Sequence, residues 1–150
     1  VFGFSIYNMA LAWARLADPS GLSPERAGAV QRITEAMRSY PILTAGTGEL
    51  TADLMRAYLQ YKLVAKSGAE AVYCLTLPDR GWGLALKIED GSSRAVAAVL
   101  LAILDKLGYI GDSNILEAYR PQLVRNHRGR VVGEIVADLS EAKFERIVDK

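Results

Sequence analysis

The feature that most limits the fold is a series of three short β-like segments joined by very short connections. Apolar and β-branched residues dominate residues 63–66, 71–77 and 83–88, and small or turn-forming residues separate these segments. A parallel connection needs a crossover of about a dozen residues or more, so these segments can pair only as antiparallel neighbours. The sequence therefore predicts a three-stranded antiparallel meander.

Helical patterns come before this predicted meander. Residues 5–16 carry apolar side chains every three or four positions, which is one stripe of a helix. A second helix is expected to start at Ser23, which can cap it, and to end before Pro41. After a loop of small residues, Thr51 is predicted to cap a short helix that runs to Tyr58.

A stronger helical pattern follows the meander. Residues 96–107 repeat apolar side chains at helical spacing, and Gly108 stands where a helix often ends. This helix is expected to lie across one face of the meander. Residues 123–126 and 131–137 indicate a hairpin, and residues 140–148 indicate a short closing helix. Together the patterns predict a single domain of the α/β class: an antiparallel sheet with packing helices.

The composition excludes several classes of protein. Half of the chain is hydrophobic (51%) and 23% is charged, which is incompatible with wholesale disorder. A formal net charge of +1 argues against a protein that holds nucleic acid electrostatically. The apolar run 95–104 is too short to cross a bilayer, so no membrane partner is expected. The single cysteine, Cys74, cannot form an internal disulfide, and we expect a cytoplasmic protein.

The start of the chain predicts that this sequence is part of a larger protein. It begins with Val1 rather than methionine and enters a helical pattern almost at once. A natural N-terminus usually carries a few loosely held residues before its first element. We therefore expect further chain upstream of Val1.

Several short motifs have simpler interpretations than a functional site. The Gly-x-Gly pairs at 46–48 and 81–83 lack the third glycine of a dinucleotide fingerprint and are interpreted as turns. The basic cluster within 125–130 is interpreted as a solvated hairpin turn. The Ser-x-x-Lys spacing at 140–143 is short enough to occur by chance, and Ser140 is more simply a helix cap.

Lys66-Ser67-Gly68 is the motif with the clearest chemical use. It ends one β-like segment and opens a tight turn, which is the context of the Lys-Thr/Ser-Gly element in penicillin-recognising enzymes. A fixed cation beside a serine nucleophile steers an anionic substrate and favours loss of a nearby proton. A hydroxyl at the next position can bind a substrate carboxylate, and glycine lets the backbone approach closely.

The residues around this tripeptide carry a resemblance to a known family. The chain resembles the Rhizobium etli-type L-asparaginase family, and the likeness covers most of residues 1 to about 110. The matching stretches are residues 1–18, 44–48, 51–55, 66–73 and 77–91. This family is similar in fold to serine β-lactamases and glutaminases.

The resemblance implies an amidohydrolase that converts L-asparagine and water to L-aspartate and ammonia. The family's machinery combines a Ser-x-x-Lys pair, a second serine and a downstream lysine, and only the downstream lysine finds a match, at Lys66. The family also binds zinc through cysteines and a lysine, which would lie upstream of Val1; Cys74 does not match them. We therefore expect this sequence, residues 1–150, to be the C-terminal portion of a single asparaginase domain, without a metal site of its own. The complete enzyme is expected to be a homodimer.

These considerations give four candidate site residues. Lys66 is expected to be catalytic and to point into the cleft, and Ser67 and Gly68 are expected to border the substrate. Glu70 is either a partner of Lys66 or merely a carboxylate of the turn, and both possibilities remain open. Two alternatives for the function are also open: another serine amidohydrolase of the same fold, such as a glutaminase, and a non-catalytic binding domain or remnant.

Overall fold

The chain folds as a mixed α/β unit, which confirms the predicted fold class. A computed structural model describes residue 3 and residues 5–143. The β-lactamase-like arrangement stays a prediction. The helices are α1 (Ile6–Ala17), α2 (Pro24–Ser39), α3 (Pro41–Ala45), α4 (Leu50–Ala57), α5 (Val96–Lys106) and α6 (Ser113–Leu116); the strands are β1 (Ala65–Ser67), β2 (Val72–Leu77), β3 (Trp82–Lys87), β4 (Gln122–Arg125) and β5 (Val131–Ile135).

The first three strands form the antiparallel meander that the turn lengths predict. Their order is β1-β2-β3, and β2 lies in the centre with Tyr73 opposite Ser67 on one side and Leu86 on the other. The turn between β1 and β2 is tight, since the Gly68 N–H donates to the carbonyl of Val72 at 2.8 Å. The first strand begins at residue 65 rather than at the predicted residue 63. The reason is that the N–H of Val64 donates to the side chain of Thr76 instead of continuing the backbone ladder.

One face of the meander contributes to the main hydrophobic core. Side chains alternate along a strand, so Tyr73, Leu75 and Leu77 point to the same face, and all three are buried. They share one core cluster with Leu54 of α4 and Leu100 of α5, both fully buried. The apolar stripe predicted for residues 96–107 therefore faces the core together with this side of the sheet.

Helix α1 covers the opposite face of the meander. The helix packs on β3, and Gly83 allows the helix backbone to come unusually close to the strand. A Cβ at position 83 would lie 2.1 Å from the carbonyl oxygen of Ala10. The interpretation of the pair 81–83 as a turn is therefore correct only for Gly81, which has φ +64°. Gly83 lies inside a strand, and its missing side chain makes room for a helix.

The segment before the sheet departs from two predictions. Ser23 occupies the N-cap position of α2 but makes no side-chain capping bond. Thr51 is not the cap of α4, because Glu49 precedes the helix and Thr51 lies within its first turn. Thr51 is instead buried, with 2% of the residue exposed, and its hydroxyl accepts a hydrogen bond from Tyr73.

After α6, strands β4 and β5 form a hairpin. Asn126 organises the turn, since its side-chain oxygen accepts the backbone N–H of Arg128 and of Arg130. This agrees with the interpretation of the basic cluster as a hairpin turn. The second strand ends at Ile135, two residues before the prediction. Residues 140–143 are a turn and irregular chain, and the rest of the predicted closing helix lies outside the described residues.

Among the described residues, no helix combines the length and the apolar character that a bilayer span requires.

Candidate functional site

Strand β1 places the predicted tripeptide at the edge of the sheet. Its inner edge pairs with β2, and no strand pairs with its outer edge within the part of the chain that the structure describes. The backbone groups of Val64 and Gly68 bond to β2. By the alternation of an antiparallel ladder, the N–H and carbonyl groups of Ala65 and Ser67 then face the open edge. Ala65 is completely buried and the Ser67 carbonyl accepts a hydrogen bond from Lys66 Nζ, so the Ser67 N–H is the backbone group that this edge presents to a further partner.

Lys66 is exposed and lies opposite Cys74 in the ladder. Its Nζ donates to the carbonyl oxygen of Ser67 at 3.0 Å. No ion pair involves this ammonium group among the residues that the structure covers. Two of its three N–H donors are therefore available to a further partner.

The other three predicted site residues come together around a cavity. Ser67, Gly68 and Glu70 line a space of about 510 Å³, together with residues from the start of α4 and from the loop before α5. Lys66 is not among the residues that line it. The reason is the two-residue period of the strand, which turns neighbouring side chains to opposite faces of the sheet. The structure thus brings together three of the four candidates and places Lys66 on the face that α1 covers.

Hydroxyl groups form part of the wall of this cavity. The Tyr73 hydroxyl donates to Thr51 Oγ1 at 2.9 Å, and burial raises the pKa of Tyr73. The Tyr119 hydroxyl donates to Asp53 Oδ2 at 2.8 Å. Burial, reinforced by this bond, raises the pKa of Tyr119 to about 12. Both phenols are therefore neutral hydrogen-bonding groups near neutral pH and cannot serve as bases there.

Glu70 occupies a constrained position in the turn. It has φ +56° and its neighbour Ala71 has φ +51°, a left-handed pair that costs free energy for residues other than glycine. Its carboxylate packs against Gly91, where an added Cβ would lie 2.5 Å from Glu70 Oε2. No ion pair joins Glu70 to Lys66 among the described side chains. Neither of the two roles considered for Glu70 is tested by this arrangement.

A second concave surface lies on the face of the sheet that carries Lys66. It has a volume of about 730 Å³ and is lined by residues of α1 and α2, by Val64 just before β1 and by Thr76 of β2. Sequence reasoning missed Thr76, which is 1% exposed. The available signal was a threonine within a strand of otherwise apolar and aromatic residues, since a buried hydroxyl normally has a specific hydrogen-bond partner.

The described residues do not provide a metal site. No group of three or more His, Cys, Asp or Glu side chains could hold an ion there. Burial raises the pKa of the Cys74 thiol to about 11, so it is not the thiolate that zinc prefers. The expected zinc ligands upstream of Val1 stay a prediction.

Two comparisons with known proteins bear on the identity of the chain. A family model described as L-asparaginase II matches residues 1–137, which includes both concave surfaces and the hairpin. A comparison with curated proteins finds no match.

Proposed function

The chain belongs to the L-asparaginase II family, and we propose that it takes part in the hydrolysis of the side-chain amide of L-asparagine to L-aspartate and ammonia. The family match over residues 1–137 is the observation that carries this proposal. We further propose that this sequence forms the C-terminal portion of the enzyme. The serine nucleophile, its lysine and the second serine would then lie upstream of Val1.

Lys66 is proposed as the catalytic residue of this portion. An ammonium group beside the attacking serine favours loss of the hydroxyl proton and stabilises negative charge as the tetrahedral intermediate forms. Three observations support this role: Lys66 is exposed, it lies at an open sheet edge, and its charge is not neutralised by a carboxylate among the described residues.

Ser67 and Gly68 are proposed to border the substrate. The ladder alternation turns the Ser67 N–H to the open edge, where it can donate to a substrate oxygen. A hydroxyl and a backbone N–H of one residue make a suitable pair of donors for the α-carboxylate of an amino acid. Glu70 is proposed to act through the shape of the turn, because its carboxylate packs on Gly91 and forms no ion pair with Lys66 among the described side chains.

The substrate class is tested by measuring hydrolysis by the complete protein, with the residues upstream of Val1 included. L-Asparagine, L-glutamine and a penicillin-type reporter are compared under the same conditions. We expect release of L-aspartate and ammonia, with kcat/KM highest for L-asparagine. Preference for L-glutamine would indicate a glutaminase, and hydrolysis of none of the three would indicate a non-catalytic remnant.

The role of Lys66 is tested by Lys66→Ala in the same protein. We expect kcat to fall by about 10²-fold or more, since loss of one charge-stabilising group in an active site has effects of this order. Lys87→Ala is the matched control: Lys87 also lies in a strand and also donates its Nζ to the carbonyl of the next residue, but it belongs to β3. An unchanged rate for Lys66→Ala would remove Lys66 from the mechanism.

A further inference from the structure

We propose that Thr76 is a positioning residue that fixes the start of β1 and thereby the placement of Lys66. This inference rests on the proposed catalytic role of Lys66. Thr76 is almost completely buried in β2, and its hydroxyl accepts the backbone N–H of Val64 at 2.9 Å. Its own backbone N–H donates to the Val64 carbonyl at 2.8 Å. Thr76 therefore hydrogen-bonds to both the N–H and the carbonyl of Val64.

The bond from Val64 to the Thr76 hydroxyl marks the point where the ladder ends. In a regular hydrogen-bonded pair, the Val64 N–H would donate to the backbone carbonyl of Thr76. Here the chain diverges from β2, and the side-chain oxygen takes the place of that carbonyl. Without this hydroxyl, the N–H of a residue that is 1% exposed would have no acceptor.

Lys66 depends on this contact because β1 is short and pairs with no second strand among the described residues. The strand contains three residues, and Lys66 lies two positions after Val64. Beyond Lys66, the next bond to β2 is that of the Gly68 N–H. The bond from the Val64 N–H to the Thr76 hydroxyl therefore fixes the chain where it enters β1, two residues before Lys66.

The inference predicts an effect on catalysis that exceeds an effect on substrate binding. A displacement of a catalytic group by about 1 Å can cost up to about 10²-fold in rate. Thr76→Val keeps the shape of the side chain but removes the hydroxyl, so it should shift Lys66 without opening a cavity. We expect kcat to fall at least tenfold while KM changes little, which is the pattern for an interaction that acts in the transition state.

The experiment compares variants of the complete enzyme by steady-state hydrolysis of L-asparagine and by hydrogen exchange of the Val64 amide. Thr76→Ser retains the hydroxyl and should keep kcat within about threefold of the original, whereas Thr76→Val should lose activity and protection at Val64 together. Thr34→Val is the matched control, because Thr34 is also buried but its hydroxyl bonds to the helix carbonyl of Val30. If Thr76→Val does not fold, Thr76→Ala replaces it in the comparison with Thr76→Ser.

The outcomes separate this inference from the proposed function. If Lys66→Ala is inactive but Thr76→Val retains the original kcat, the positioning role is wrong and the function of Lys66 stands. Equal loss of kcat in folded Thr76→Ser and Thr76→Val would also overturn it, because the hydroxyl would not be the cause. Full activity of Lys66→Ala would overturn both proposals.

Discussion

Replacement of Gly83 by alanine should loosen the packing of α1 on the sheet. The added Cβ would lie 2.1 Å from the carbonyl oxygen of Ala10, 2.3 Å from the backbone nitrogen of Ala14 and 2.6 Å from the carbonyl carbon of Trp13. Ordinary van der Waals contact begins near 3.4 Å. Because all three atoms belong to helix backbone, no side-chain rotation can relieve the overlap, and the helix itself would have to move.

The size of the effect follows from this geometry. Overpacking of a well-packed site costs roughly 1–3 kcal/mol, and a clash with backbone belongs at the upper end. We therefore expect Gly83→Ala to lower the free energy of unfolding by about 3 kcal/mol. The midpoint of thermal unfolding should fall as well, because a lower free energy of unfolding lowers Tm.

Gly28→Ala provides the matched control. Gly28 lies within α2, and outside the adjacent backbone of its own helix nothing lies within 4 Å of the position that its Cβ would take. Alanine is better than glycine in a helix interior by about 0.5–1 kcal/mol, so this variant should be slightly more stable than the original. Thermal and urea unfolding of both variants measure the two effects. A Gly83→Ala variant within about 0.5 kcal/mol of the original would refute the close packing of α1 on β3.

Two further predictions concern buried polar groups. Burial raises the pKa of Cys74 from 9.0 to about 11 in the folded state, so its contribution to stability is complete below about pH 9 and is lost as the pH rises through 11. Urea unfolding should then show a steeper loss of stability between pH 9 and 11 for the original than for Cys74→Ala; equal slopes would contradict this. Tyr73→Phe leaves Thr51 without its donor and should cost about 1 kcal/mol in urea unfolding, whereas Tyr7→Phe, at an exposed tyrosine, should cost nothing measurable.

The sheet was predictable because its determinants are local. Turn lengths decide that neighbouring strands are antiparallel, and the period of residues 96–107 decides which side of α5 is buried. The start of α4 was not predictable in the same way. Thr51 has the chemistry of a cap, but the buried hydroxyl of Tyr73 competes for it, and that contact joins residues 22 positions apart.

The site was predictable only in part, for a similar reason. The tripeptide motif predicts that its three residues share one pocket. A strand turns consecutive side chains to opposite faces, however, and Lys66 is therefore separated from the cavity that Ser67 lines. This alternation could have been read from the sequence. The role of Thr76 could not have been predicted from the sequence, because it depends on where the chain leaves the ladder at Val64.

The most direct test of the account is the ratio of L-aspartate release by Lys66→Ala to that by Lys87→Ala in the complete enzyme, with both variants shown to be folded. The account predicts that the first variant is slower by about two orders of magnitude or more, while the second stays near the original rate. Equal rates in the two variants would contradict it, because the charge at the edge of β1 would then have no part in the reaction.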